Sequence, residues 1–183
     1  MISYDQATNM DRSQFTATLN SHIADVHSRI RQKIPAIDRI SFALYDSKTK
    51  VLKTYADSTL AGEPLVHYEF PLENVPSLKA CAECKTDRLV HQAESDLKKE
   101  SGHSQWLARQ GFNSSLVSPT YYHDDLIGFI FINSKQVDVF DTETTHELYP
   151  YIDCIKTAAS VEYELIHTII DAVNFLLEKN PRH

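Results

Sequence analysis

The sequence is short of glycine. Four glycines, Gly62, Gly102, Gly111 and Gly128, serve 183 residues, about 2 % where roughly 7 % is usual. No two lie within eight residues of one another. GxGxxG, the P-loop and the GxSxG elbow are therefore absent, and with them the chemistry that depends on a glycine-rich cradle of backbone amides. Long apolar runs are missing too. The longest, Leu126 to Ile132, falls far short of a membrane span, so no membrane partner is expected. Basic clustering is the third absence: the net charge is −7 and Lys and Arg are scattered, whereas a nucleic-acid surface needs a basic stripe. The first fourteen residues are polar and mixed, with no export signal. The three cysteines accordingly read as free thiols in a reducing cytoplasm. With 42 % hydrophobic and 23 % charged residues, what is present suits one globular domain with room for a helical extension.

Periodicity supplies the elements. Asp11 with Gln14 three residues later has the form of a capping box. Phe15, Leu19, Ile23, Val26, Ile30 and Ile34 then recur on one helical stripe that Pro35 ends. Ile40–Tyr45 alternates as a strand, residues 46–50 are turn chemistry, and Val51–Ala56 returns as the hairpin partner. A third strand is predicted over His67–Leu72. It is followed by a short helix at Ser77–Lys85, a brief strand at Arg88–His91, and a helix at Ser104–Gln110 that Gly111 stops. The strongest strand pattern is a hairpin of Ser115–Tyr122 and Leu126–Asn133. Its second strand is apolar without alternation, so both of its faces are expected to be covered. Asp141 caps a last helix running to about Lys179, with Pro150 either kinking it or opening a second segment. Along it Ile152, Ile155, Ala159, Glu162, Ile166, Ile169, Val173 and Leu176 repeat at spacings of three and four, a heptad seam broken only at Glu162. From Pro150 to Glu178 the helix would be about 43 Å long at ~1.5 Å per residue. Beyond Ser160 the seam predicts a coiled coil with a second copy, through Ile166, Ile169, Val173 and Leu176.

Two stretches carry a resemblance. Leu107 to Pro119 (LARQGFNSSLVSP) followed by Asp125 to Ser134 (DLIGFIFINS), with Phe140-Asp141 before the last helix, resembles the helix-to-strand passage of GAF domains, the sensory modules of signalling proteins. The likeness spans roughly residues 14–160. It implies an α+β fold, PAS-related, with an antiparallel sheet of five or six strands. Terminal helices would pack on one face and a lid-covered small-molecule pocket would form on the other. The domain division that follows is a tail at 1–13, the GAF-like domain at 14–160 and a signalling or coiled-coil helix at 161–183. The resemblance also implies a regulatory module of bacterial signal transduction that dimerises through its terminal helices and controls a following output domain. The closing segment, Ile170 to Leu177, looks like the linker into an HD-type phosphohydrolase or phosphodiesterase, so the chain reads as a fragment of a larger protein. The ligand is not named by the family, whose members bind cyclic nucleotides, haem, bilins, metals, amino acids or 2-oxo acids, and no cofactor is assigned.

Within that frame, Cys81-Ala82-Glu83-Cys84 is the sharpest local feature. Helical spacing puts both sulfurs on one face, able to reach one metal or each other. His67 or His91 are the residues that could complete a metal site, but a second CxxC is lacking and no metal is assigned; two ordinary thiols on a lid helix is the competing reading. The flanking Lys79 and Lys85 could lower a thiol pKa, which keeps a thiol-based oxidoreductase as an alternative function. A methionine sulfoxide reductase of the GAF type fits poorly, because no cysteine lies between Lys85 and Asp153. A bilin site fits poorly because neither Cys81 nor Cys84 has a histidine neighbour. Asn133, Lys135 and Phe140 echo the cyclic-nucleotide signature of the family, but Thr144-Thr145 stand where its acidic pair belongs. Tyr68, Phe70, Trp106, Ser115 and Tyr121, with Cys81 and Cys84, are the candidate ligand-lining residues. They are equally suited to a core. His123-Asp124 is read as turn chemistry. No catalytic constellation stands out, so the expectation is a sensor and dimerisation module rather than an enzyme, with a purely structural dimeriser as the other alternative.

Overall fold

A computed structural model describes residues 4–60, 69–92 and 102–179. The first helix, α1 (Tyr4–Lys33), is followed by β1 (Arg39–Asp46), β2 (Val51–Thr59) and β3 (Glu69–Pro71). A single 3-10 turn at Leu72–Asn74 leads to α2 (Pro76–Cys84), β4 (Arg88–Val90) and α3 (Gly102–Arg109). The chain then forms β5 (Ser114–Tyr122), β6 (Asp125–Ser134) and α4 (Thr142–Lys179). The six strands make one sheet in the order β3-β2-β1-β6-β5-β4, and every neighbouring pair is antiparallel. This is the α+β architecture expected from the sequence.

One face of the sheet carries the main core. The apolar positions Ile40 and Phe42 of β1, Leu116 of β5, and Ile130 and Ile132 of β6 are buried against Leu19, Ile23, Val26 and Ile30 of α1 and Leu148, Ile152, Ile155 and Ala159 of α4. The two helices run antiparallel, as an ion pair between Lys33 and Glu147 (3.6 Å) at one end and the influence of His22 on Glu162 at the other require. The stripe read from α1 is thus the buried one. Its start was misplaced: α1 already begins at Tyr4, so Asp11 lies inside the helix and does not cap it. Within this core His27 is buried, with Nε2 donating to the Ile37 carbonyl (3.0 Å). A carbonyl can only accept, so Nε2 carries a hydrogen; in the neutral ring that burial favours, Nδ1 accepts from Ser58 Oγ at 2.8 Å. Burial holds its pKa below the usual histidine value.

Two irregularities shape the sheet. A bulge after Phe42 leaves Tyr55 of β2 as an extra residue. Asn20 of α1 answers it, donating to the Tyr55 carbonyl (3.4 Å) and accepting from the Asp57 amide (2.9 Å). At Gly128 the neighbouring strand comes so close that a Cβ would lie 2.2 Å from the Ala43 oxygen and 2.7 Å from Phe42 Cζ. Only glycine fits there, which explains the single glycine in the apolar strand.

Asp141 caps α4 as predicted, its Oδ1 accepting the Thr144 amide at 2.8 Å. Of the two readings offered for Pro150, the second segment is not seen: α4 continues through it as one helix of 38 residues, about 57 Å at ~1.5 Å per residue. The early seam positions Ile152, Ile155 and Ala159 belong to the core. Beyond Ser160 the helix instead exposes Val161, Leu165, Ile169, Val173 and Leu176, spaced four, four, four and three. The Ile166 side chain lies outside what is described.

Candidate functional site

The second face of the sheet is covered by α2 and α3, and the two helices cover different chemistry. Strand alternation decides which residues point there. With Ile40 and Phe42 turned to the helical core, Arg39, Ser41, Ala43 and Tyr45 face the other way.

Under α2 the face is apolar and filled. Ala43, Leu52, Val117, Phe129 and Phe131 of the sheet pack with Phe70, Leu72, Val75, Leu78 and Cys81. Pro76 opens α2, and Lys85 closes it in the left-handed conformation (φ 52°). There the Lys85 amide donates to Ala82 O and the Thr86 amide to Cys81 O, both at 3.2 Å, the paired bonds of a Schellman cap. The hydroxyl of Tyr121 donates to the Ala82 carbonyl. Lys85 lies 5.1 Å from the Tyr121 ring centroid and pairs with Asp124 at 3.0 Å. Cys81 Sγ donates to the Thr86 carbonyl at 2.8 Å. Burial pushes that thiol up to about 11, with Asp87 adding to the shift.

Under α3 the face is polar and charged. Arg39 is 1 % exposed and forms an ion pair with Asp57, Nε at 2.8 Å and Nη2 at 2.6 Å from Oδ2. Its Nη1 donates to Asn133 Oδ1 at 2.9 Å. Thr59 Oγ1 donates to the other Asp57 oxygen. Trp106 of α3 sits over the guanidinium, 5.4 Å from the ring centroid, and leans on Phe112 at 6.4 Å. Burial lowers the Arg39 pKa while Asp57 opposes that shift, so the pair is held together by charge in a dry place. Beside it Ser115 and Asn133 line a crevice roofed by Leu107 of α3 and by Phe112, closed to a water-sized molecule in this structure. Asn133 Nδ2 is buried without a hydrogen-bond partner among the described residues. Gly111, at φ 78°, ends α3 with the same cap as α2: Gly111 N to Ala108 O and Phe112 N to Leu107 O, each 3.0 Å.

The residues singled out in the sequence therefore divide. Trp106 and Ser115 stand at the polar half; Phe70 and Cys81 are part of the apolar packing; Tyr121 anchors α2. His67 and Tyr68 lie outside the described residues. Cys84 is exposed while Cys81 is buried. His91 is on the surface, 4.0 Å from Asp138. Among the described residues no group of three or more His, Cys, Asp or Glu side chains is placed to hold a metal, and no helix is long and apolar enough to cross a membrane. Arg39 and Asp57 were missed. The available signal was phase: Arg39 falls on the same side of its strand as Ser41 and Ala43, opposite the apolar set.

No family model and no curated protein matches the sequence. The fold, in contrast, is shared with many solved structures. The phycocyanobilin-bound GAF domain of a cyanobacterial phytochrome superposes with a TM-score of 0.62 at 14 % identity, over 89 % of this chain and 97 % of that one. A GAF domain/HD domain protein from Geobacter sulfurreducens gives 0.57 at 15 % identity, over 88 % and 98 %. The free methionine-R-sulfoxide reductase of Neisseria meningitidis, in complex with its substrate, gives 0.59 at 14 % identity, over 91 % and 89 %. Strand order, helix placement and these superpositions together identify the fold of this chain as the GAF fold.

Proposed function

We propose that this chain is a regulatory module that senses a small molecule on the α2–α3 face of its sheet and passes the response along α4 to an output domain. The observation that carries the reading is the buried Arg39–Asp57–Asn133 cluster with its unmet amide. Charge and an unsatisfied donor are costly inside a fold, and such costs persist where a ligand uses them. Transmission has a physical route. Ser160 Oγ donates to the Tyr121 carbonyl at 3.4 Å, and the Tyr163 ring packs at a tilt against Tyr122, centroids 5.6 Å apart, so α4 is tied to β5 at the point where its apolar stripe becomes exposed. That stripe, with Ile169, Val173 and Leu176 from the predicted seam, fits a homodimer in which the α4 helices of two copies pack together. The output domain of the proposal is an HD-type phosphohydrolase in a bacterial, cytoplasmic signalling protein.

Thiol catalysis through Cys81 and Cys84 is the lesser reading. A thiol at about 11 is protonated at neutral pH and a poor nucleophile, and its neighbour faces solvent. Native mass spectrometry of the purified protein tests the proposal. A dimer carrying one small-molecule adduct per chain is the expected spectrum. A monomer without adduct overturns both the sensing and the dimer, and turnover of peroxide or a sulfoxide abolished by Cys81→Ser/Cys84→Ser overturns the sensor in favour of an enzyme.

A further inference from the structure

The crevice beside Arg39 has a donor with nowhere to go. Arginine carries only donors, so it is the Asn133 oxygen that must face Nη1, as the 2.9 Å bond requires. The amide nitrogen is thereby turned away from Arg39, and it is fully buried with no partner among the described residues. Asn133 lines the crevice with Ser115 on the sheet and Leu107 and Phe112 on the roof; the crevice is closed to a water-sized molecule here, so room for a ligand has to come from the place that Trp106 occupies beside Arg39. The positive charge next to it is already answered by Asp57, so an acceptor entering this place has no need to be an anion. The aromatic ring beside the guanidinium is Trp106, its centroid 5.4 Å from the Arg39 Cζ. Planar groups stack on guanidinium faces readily, whether they belong to the protein or to a ligand.

We propose that this crevice takes a small, neutral, planar molecule with a carbonyl-type acceptor on its edge, and that Trp106 holds the molecule's stacking place until it arrives. The inference rests on the small-molecule reading above and adds the ligand class and the gate. The ligand's carbonyl accepts from Asn133 Nδ2 and its ring lies on Arg39. Trp106 is displaced, and α3 moves with it, because the indole is part of that short helix. Binding at the sheet is in this way converted into movement of a lid element.

Uracil serves as the probe, with benzoate as a planar anion and toluene as a planar molecule lacking an acceptor. Two signals report the place: the side-chain amide resonances of Asn133, and the fluorescence of Trp106, the single tryptophan of the chain. Uracil is expected to shift the Asn133 amide pair and to raise the access of acrylamide to Trp106. Asn133→Asp keeps the acceptor for Arg39 and removes the donor, and uracil binding should weaken about tenfold. Trp106→Leu removes the occupant, and binding read from the Asn133 amide should strengthen about twofold to fivefold. Benzoate or toluene binding as tightly as uracil overturns the ligand class. Uracil binding that leaves both signals unmoved overturns the place and the gate while the small-molecule reading stands. Absence of binding by all three probes overturns the inference, and an adduct-free native mass spectrum alongside it overturns the reading beneath.

Discussion

The two halves of one sheet face solve the same covering problem with opposite chemistry. Under α2 the strands offer Phe129, Phe131, Val117 and Leu52, and the helix answers with Leu78 and Cys81. Under α3 the same strands, a few residues along, offer Arg39, Asp57 and Asn133, and the helix answers with Trp106. The apolar half gains from burial in proportion to area and needs no partner of set geometry. The polar half must satisfy every atom it dries out, and it leaves one unsatisfied. A face built only for stability would have continued the first solution into the second half. The departure from it is what the proposed sensing site rests on.

Removing one partner of the buried ion pair gives the largest expected effect. Asp57→Ala leaves Arg39 charged and dry, at a cost of about 3–5 kcal/mol in urea unfolding. The double variant Arg39→Met/Asp57→Leu should recover most of that loss, since apolar groups of similar volume often replace buried ion pairs without penalty. If the double variant is as unstable as the single one, the polar half is structural and the contrast with the apolar half collapses.

Much of this contrast was legible in the sequence on one side and hardly at all on the other. Leu19, Ile23, Val26 and Ile30 declared the core face of α1, and the unbroken apolar run of β6 declared a strand covered on both sides, because period alone carries that information. Gly111 and Asp141 announced helix ends by local chemistry that needs no tertiary partner. The polar cluster draws Arg39, Asp57 and Asn133 from three strands, with Arg39 and Asn133 94 positions apart, and nothing local records such a meeting. Trp106 was readable as a pocket aromatic but not as a partner of Arg39. Cys81 and Cys84 misled for a geometric reason. Positions i and i+3 differ by about 60° around a helix, enough at the last turn of α2 to bury one sulfur and expose the other.

The cysteines give the second test. With iodoacetamide at pH 8, Cys84 and Cys154, both exposed, are expected to react, while Cys81 stays protected in the native state. The sign of the pH effect follows from a folded pKa near 11, above the ordinary thiol value of 9.0. The folded state holds the Cys81 proton more tightly, so its contribution to stability is complete below about 9 and is lost as the pH rises through 11. Labelling of Cys81 at the rate of Cys84 would mean that α2 opens freely and that the apolar half is no more closed than the polar one.

The helix ends sharpen the comparison at its finest level. Both lid helices close with the same pair of capping bonds, α3 on Gly111 and α2 on Lys85. Glycine enters the left-handed region without steric cost; a lysine does not, and is held there by its contacts with Asp124 and the Tyr121 ring. At Gly111 a Cβ would meet nothing within 4 Å, so Gly111→Ala isolates the backbone penalty, expected at about 1 kcal/mol. Lys85→Gly relieves a similar penalty and gives up an exposed ion pair and a cation–π contact, each worth less than or about 1 kcal/mol. Its unfolding free energy should therefore stay within about 0.5 kcal/mol of the parent. The two changes differ in kind as well as size. The first loosens the end of the helix that carries Trp106, and should raise the access of acrylamide to that indole. The second frees α2 from the β5–β6 turn and should leave Trp106 unchanged. An equal response of Trp106 to both would show that α2 and α3 move as one lid, and would remove the distinction between the two halves.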